Sequence, residues 1–409
     1  MKITFMLYDK PNYFGGPTTN SRRLLPALVQ RGYEIHAMIF FHQESSTSRF
    51  LDSRGVQCHV LKKPRYTRDQ IRWILEKLKE LEPDIFVPNI FVSGWYAAKW
   101  AKQAGIPSIA AHRSNDSYHW GMVDEFIVGS PDWAIPGLLC VSQSVCSQIE
   151  RLSPKHTMLR AIPSGVPLPS EQSKQIGPLK IVYVGRLIQK QKRVKETLAA
   201  LLNAVRQLPE IRVTFIGDGP ERAYLERTVA ESGFKKKIEI IGSIPTEKLS
   251  EELLNHHVLV LLSEYEGTPG AVMDAMACGL IPICSNISGG VQELVKHNKT
   301  GLLVNDFDVD FIRAIRLLSE NTVFRQCLAH GARQHVVRNY SLSITVEKWE
   351  AFCKDLLAAS QPKQPMYIPK RFDLPSVHPS LASQDRRVPF FLERLLSIRH
   401  RVITMMSTI

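Results

Sequence analysis

Residues 263–282 read Ser-Glu-Tyr-Glu-Gly-Thr-Pro-Gly-Ala-Val-Met-Asp-Ala-Met-Ala-Cys-Gly-Leu-Ile-Pro. The apolar run Val258 to Leu262 ahead of it has the length and composition of a buried strand, Gly267 and Gly270 mark a turn, and the apolar residues that follow predict a helix ending at Gly279. Ile281 to Cys284 then restarts a strand. Strand, loop, helix and strand in this order form a crossover unit, so the stretch belongs to a parallel sheet covered by helices. A loop that opens a helix offers unpaired backbone N–H groups and the positive end of the dipole, which suits a phosphate or a sugar hydroxyl. Glu266 sits in that loop and Asp274 one turn inside the helix, eight residues later. Two carboxylates so placed can face one ligand from two directions, and they hold hydroxyls rather than phosphates.

The same alternation extends in both directions. Downstream of a joint at 162–169, strands are expected at Lys180 to Val184, Val213 to Ile216 and Ile238 to Ile241. Upstream, strands at Ile3 to Leu7, Ile35 to Phe41, Ile85 to Pro88, Ser108 to Ala111 and Leu138 to Ser142 alternate with helices over 18–31, 68–81, 94–104 and 144–152. The fold class is therefore α/β, with one domain over 1–167, a polar linker over 168–178 and a second domain over 179–342. A helix over about 343–358 returns to the first domain. The carboxyl ends of the strands open toward the joint, which makes the interdomain cleft the expected ligand site.

Within the second domain, Arg186 follows a strand in Gly185-Arg-Leu187, and Lys192 comes one short loop later, so two cations can converge on one anion. Gly217-Asp-Gly219 lacks the third glycine of a dinucleotide fingerprint and alone is a tight turn. In the first domain Gly15-Gly16-Pro17 separates the first strand from the first helix and offers another close approach of backbone to phosphate.

The composition fits a globular chain of two or three domains: 409 residues, 44% hydrophobic and 22% charged. It excludes collagenous, disordered and disulfide-scaffold classes. Lys and Arg number 52 against 39 Asp and Glu, so an anionic partner is expected. Seven cysteines without a C-x-x-C pair suit a reducing, cytoplasmic setting, and the N-terminal run broken by Asp9 reads as a strand rather than a leader. No apolar run is long enough to span a bilayer, so membrane contact would be peripheral. The region 361–409 changes character to a Pro-rich, extended connector followed by a basic amphipathic stretch with Phe391, Leu395, Ile398 and Val402 at helical spacing. It holds eight Lys or Arg against three Asp or Glu. Such a tail suits an anionic membrane surface or a packed helix equally well.

Taken in chain order, the Gly15-Gly16 loop, Leu139-Cys-Val-Ser142, Ile162-Pro-Ser-Gly-Val166, Gly185-Arg-Leu187 with Lys192, Ile216-Gly-Asp-Gly-Pro-Glu-Arg222, Ile241-Gly-Ser-Ile244, and Glu266 to Gly279 with Gly289-Gly290 and Glu293 form a specific combination. It resembles the retaining nucleotide-sugar glycosyltransferases of the GT-B fold, family 4 or group 1, over roughly residues 1–355. The resemblance implies two facing Rossmann-like domains and transfer of a sugar from a nucleotide-diphosphate donor to a glycan or lipid-linked acceptor hydroxyl, in polysaccharide, lipopolysaccharide or glycolipid assembly.

Residue by residue, it places Arg186 and Lys192 on the donor diphosphate and Glu266 against the donor sugar. His112 falls near the reacting sugar, and Gly16 and the Thr268-Pro269-Gly270-Ala271 amides fall on phosphate and sugar. It places the main chain at Ile244 on the base, with Gly15, Gly185, Gly217, Gly219 and Gly267 in the surrounding loops. Asp274 matches the second acid of the family's pair, which holds the ribose hydroxyls. Here the family has Glu, so the carboxylate arm is one methylene shorter. Retention of anomeric configuration is implied, with the leaving phosphate assisting the acceptor hydroxyl.

Other signals weigh less. Asn305 to Asp310 is rich in Asp, but a calcium loop starting at Asp306 needs Gly at 311 and Glu at 317, where Phe311 and Leu317 stand. The pairs His256-His257 and His330, His335 lack a framework of further ligands, so no metal and no cofactor beyond the co-substrate is expected. Lys62, Lys63, Arg65, Arg68 and Arg72, with Tyr66 and Trp73, read by default as a solvated helix face; in a first domain of the family that the chain resembles, such a surface suits phospholipid headgroups or a lipid-diphosphate acceptor better than nucleic acid. Two rival functions share the architecture: a nucleotide-sugar 2-epimerase, and a glycan-binding relative without turnover, for which Asp274 speaks.

Overall fold

The computed structural model describes residues 1–9, 16–41 and 46–387. Two parallel sheets form its frame. The first contains β1 (Lys2–Asp9), β2 (Glu34–Phe41), β3 (Gln57–Lys62), β4 (Ile85–Asn89), β5 (Ser108–His112), β6 (Gly137–Cys140) and β7 (Met158–Ala161), in the order β3-β2-β1-β4-β5-β6-β7. The second contains β8 (Lys180–Val184), β9 (Arg212–Ile216), β10 (Ile238–Gly242), β11 (Val258–Leu261), β12 (Ile281–Ser285) and β13 (Leu302–Val304), in the order β10-β9-β8-β11-β12-β13. In each sheet the order reverses beside the first strand, between β1 and β4 and between β8 and β11. Those reversals open the crevices in which doubly wound sheets bind ligands.

Side-chain alternation builds the cores. From β1, Met6 enters a cluster with Phe40, Phe86, Trp95 and Phe126 on one face of the sheet, while Phe5 and Leu7 enter another with Leu24, Leu28, Trp349 and Phe352 on the other. Trp349 and Phe352 come from the helix Leu342–Ala358, which crosses back to the first domain; the rings of Trp349 and Phe5 stand 5.8 Å apart. The edge strands β3 and β7 carry exposed and half-buried residues, and so lack the continuous apolar runs that betray the central strands.

The chain passes between the domains twice, at 162–179 and again at 339–342, and the two passages are tied together: Val166 N–H donates to Tyr340 O at 3.0 Å and Leu342 N–H to Val166 O at 2.9 Å. The polar stretch 168–178 is not a free linker. The Gln175 side chain is buried and donates to Gly279 O at 3.0 Å, and Arg325, also buried, donates to the carbonyls of Gln175 at 3.2 Å and Gly177 at 3.1 Å. A buried amide and guanidinium must find partners, and backbone carbonyls supply them.

Residues 361–387 are extended, as their prolines suggest, but they lie as a strap across the first domain. Gln364 N–H donates to Ala104 O at 3.0 Å, Met366 and Leu381 are buried in the core cluster, and Phe372 meets Trp100 edge-on at 5.1 Å. Its end is fixed by Asp385, whose fully buried carboxylate accepts from Tyr96 Oη at 3.0 Å and from Arg387 at 2.7 and 2.8 Å. The basic amphipathic stretch beyond Pro389 lies outside the described residues. No helix among the described residues is long and apolar enough to cross a membrane.

Candidate active site

The second-domain wall begins at the end of β8. Gly185 N–H donates to Ile216 O at 3.0 Å and Leu187 N–H to Asp218 O at 2.9 Å, so the loops after β8 and β9 are sewn together. A Cβ on Gly217 would stand 1.9 Å from Gly185 O, and its φ of +145° is open only to glycine. This close approach explains Gly217-Asp-Gly219 without any nucleotide fingerprint. The Tyr183 hydroxyl donates to Arg186 O at 2.9 Å, and Arg186 Nη2 donates to Gln191 Oε1 at 3.0 Å. Gln191 in turn bonds the 263–270 loop, through Tyr265 O at 3.2 Å and Glu264 N–H at 2.8 Å. The exposed Arg186 guanidinium is thereby held at the edge of the loop that carries Glu266.

Lys192 Nζ lies 2.5 Å from Glu266 Oε1, and the Ser263 hydroxyl donates to the same oxygen at 2.7 Å. Their side chains are 14% and 8% exposed. The Lys and the Glu are thus paired, a cation and a carboxylate presented side by side on this wall. Pro269 precedes the helix Gly270–Ala277, and Thr268, Pro269, Gly270 and Ala271 supply its amino-terminal turn. Asp274 lies inside that helix, buried, with both carboxylate oxygens against Arg23 of the first domain, at 3.0 and 3.1 Å. Ile244 follows β10, half-buried against the cluster behind this wall.

The facing wall comes from the first domain. His112 ends β5 with 1% exposure, and neither ring nitrogen has a hydrogen-bond partner among the described residues. Burial, and then the neighbouring His119, push its pKa down to about 3, so the imidazole is neutral at ordinary pH. It can donate or accept a hydrogen bond but carries no charge. His119 and Trp120 flank it, each ring 5.3 Å away. Asp116 caps the helix Ser117–Phe126 through His119 N–H at 3.0 Å and pairs with His119 Nδ1 at 2.8 Å. Burial opposes its charge, but the bonds from His119 outweigh that cost and keep its carboxyl below the usual range. Gly16 opens the helix Gly16–Gln30. Gly15 lies outside the described residues.

Three contacts close one wall on the other. A Cβ on Gly267 would lie 2.5 Å from Arg113 O, so the loop after Glu266 presses on the residue next to His112. The Thr268 hydroxyl donates to Val141 O at 2.7 Å. Glu293 reaches across to the unpaired amino terminus of the helix Gln143–Glu150, accepting from Ser144 N–H at 2.6 Å and Gln143 N–H at 3.0 Å. Beside them, at the β1/β4 reversal, a cleft is lined by Tyr8, Ser21, Thr47, Asn89, Phe91 and Arg113. Aromatic faces and hydrogen-bonding groups together form the kind of surface that receives a sugar or a similarly amphipathic ligand.

Residues 169–335 match the model of the family described as glycosyl transferases group 1. That match lies within the linker and the second domain. It is 24% identical over 328 residues to a lipopolysaccharide 1,6-galactosyltransferase of Salmonella typhimurium, covering 76% of this chain and 87% of that one. It is 26% identical over 230 residues to an exopolysaccharide phosphotransferase, SCO2592, of Streptomyces coelicolor, covering 55% of this chain but 24% of that one. The matches to two further curated relatives likewise span less than half of their lengths. The crystal structure of Anabaena Alr3699/HepE in complex with UDP superposes with a TM-score of 0.68 at 15% identity, over 87% of this chain and all of that chain. The architecture is accordingly GT-B.

Of the residues expected from sequence, Arg186, Lys192 and Glu266 gather on one wall, with His112 on the other. Sequence reading missed Gln191, which couples Arg186 to the Glu266 loop, and Arg23, which covers Asp274. A glutamine between two lysines and an arginine on an amphipathic helix carry no local mark of their partners.

Proposed function

We propose that the chain is a retaining, metal-independent hexosyltransferase that moves a sugar from a nucleotide-diphosphate donor to a hydroxyl of a glycan or lipid-linked acceptor. The observation that carries this reading is the Lys192–Glu266 unit beside Arg186, at a helix amino terminus and across the cleft from the neutral His112, whose ring is unpartnered among the described residues. When the bond between the sugar C1 and the diphosphate oxygen breaks, negative charge grows on the phosphate. Arg186, Lys192 and the amino terminus of the helix Gly270–Ala277 are fixed donors aimed at such charge. The acceptor oxygen bonds to C1 on the face the phosphate leaves, and its proton passes to a phosphate oxygen. Glu266 orients Lys192 and meets a sugar hydroxyl, and His112 bonds another. The cleft at β1/β4 receives the acceptor.

Titration with UDP-, GDP- and ADP-sugars, followed by NMR assignment of the anomer formed, tests the assignment. Retention with activity that survives EDTA supports it, and inversion overturns it. Isomerised donor without acceptor would instead establish the epimerase.

The acceptor is delivered, in this reading, by an anionic surface. Arg386 joins the cluster Lys63, Arg65 and Arg68 because its backbone pairs with Thr67, through Thr67 N–H to Arg386 O at 3.0 Å and Arg386 N–H to Thr67 Oγ1 at 2.9 Å. Lys63 Nζ stands 5.7 Å from the Tyr8 ring that lines the cleft. Sedimentation with phosphatidylglycerol vesicles should decline when Arg65, Arg68 and Arg386 are changed to Glu; unchanged sedimentation removes the membrane from the proposal.

A further inference from the structure

Arg23 lies on the first helix, outside every sequence motif, yet its guanidinium spans the cleft. Its Nη2 stands 3.0 Å from Asp274 Oδ1 and 3.1 Å from Oδ2, with the two side chains 14% and 10% exposed. Asp274 is the position where the family pattern has the longer Glu. A carboxylate one carbon–carbon bond further out would run into Arg23, so the short acid and the arginine are matched in length as well as in charge. The adjacent Arg22 makes a second crossing, Nη2 to Glu247 Oε1 at 3.3 Å, and Glu247 sits three residues after Ile244. Two cross-domain ion pairs thus straddle the segments read as contacting base and ribose.

We infer that Arg23 is a positioning residue for the nucleoside half of the donor: it holds the Asp274 carboxylate in place of the missing methylene and makes ribose recognition depend on the first domain. The inference rests on the donor-site reading above. A carboxylate that accepts one guanidinium N–H keeps lone pairs for hydroxyl donors. Both sides of the pair are largely shielded, so loss of the arginine leaves a buried carboxylate without its partner.

The experiment measures binding of UDP and GDP by calorimetry, and donor KM and kcat, for wild type, Arg23→Ala, Arg23→Lys, Asp274→Glu and the double variant Arg23→Ala/Asp274→Glu. Arg23→Ala should weaken nucleoside diphosphate binding about tenfold and raise donor KM to match with kcat nearly unchanged, the size expected for a charge-assisted bond. Arg23→Lys should keep part of the affinity. Asp274→Glu alone should lose affinity, and the double variant should regain most of it because the longer acid then reaches unaided. Wild-type binding that Arg23→Ala leaves undiminished, or losses that simply add in the double variant, overturn the inference alone. A wild-type chain that binds no nucleoside diphosphate overturns the donor-site reading with it.

Discussion

The ammonium of Lys192 and the carboxylate of Glu266 meet at 2.5 Å in a setting that excludes most water. Removing one partner of such a pair strands the other charge, whereas removing both leaves none. Lys192→Met should therefore lower unfolding stability by about 3 kcal/mol, and Lys192→Met/Glu266→Gln should recover most of that in urea titrations. Sugar transfer should stay absent in both. Activity that returns together with stability would show the pair to be merely structural.

Arg186 tests the chemistry more cleanly because its side chain is exposed and hydrogen-bonded to Gln191. Arg186→Ala should leave the melting temperature nearly unchanged and reduce kcat by about 100-fold or more, as loss of a fixed donor to developing charge does. Gln191→Ala should give a smaller loss of the same kind. A drop in donor affinity with kcat intact would instead place Arg186 in ground-state binding.

His112 sets a pH dependence whose sign is fixed. Its folded pKa of about 3 lies below the ordinary value near 6.5, so between these limits the unfolded chain binds more protons than the folded one. The stability it contributes is present above about pH 6.5 and is lost as pH falls toward 3. His257, depressed to about 4 chiefly by burial and then by Arg325, acts in the same direction. Urea unfolding at pH 7.5 and 5.0 should show a decline that His112→Asn makes shallower. An equal slope in the variant would contradict the neutral imidazole.

Gly290 connects distant parts of the site through space alone. A Cβ there would lie 2.0 Å from Gly267 O, so Gly290→Ala should push the Glu266 loop away and cut transfer at least about tenfold. Circular dichroism should stay native, since alanine suits the helix Gly290–Leu294.

The fold was legible where apolar runs are continuous: β4 and β5 are buried on both faces and announce themselves. The edge strands β3 and β7 did not, because their residues are exposed or half-buried. Within the site, loops with unusual local chemistry were legible, and the Gly267 to Ala271 turn is the clearest. Partnerships made by the meeting of two domains were not. Nothing near Glu293 in sequence points to Ser144, and nothing near Arg23 points to Asp274, since each bond joins segments about 150 or 250 residues apart. The strap 361–387 was legible as an extended connector but its docking was not, because its apolar residues are sparse and without period; they are placed one at a time into the core, as Met366 and Leu381 are.

The double passage between domains has a consequence for synthesis on the ribosome. Folding ordinarily proceeds domain by domain from the amino terminus. Here the first domain lacks Trp349, Phe352 and the whole strap until the last part of the chain emerges, while the second domain is drawn from one continuous segment. The domain begun first is the one completed last. Until then it exposes the apolar face that Phe5 and Leu28 share with Trp349, and that interval is when a nascent chain most needs a chaperone.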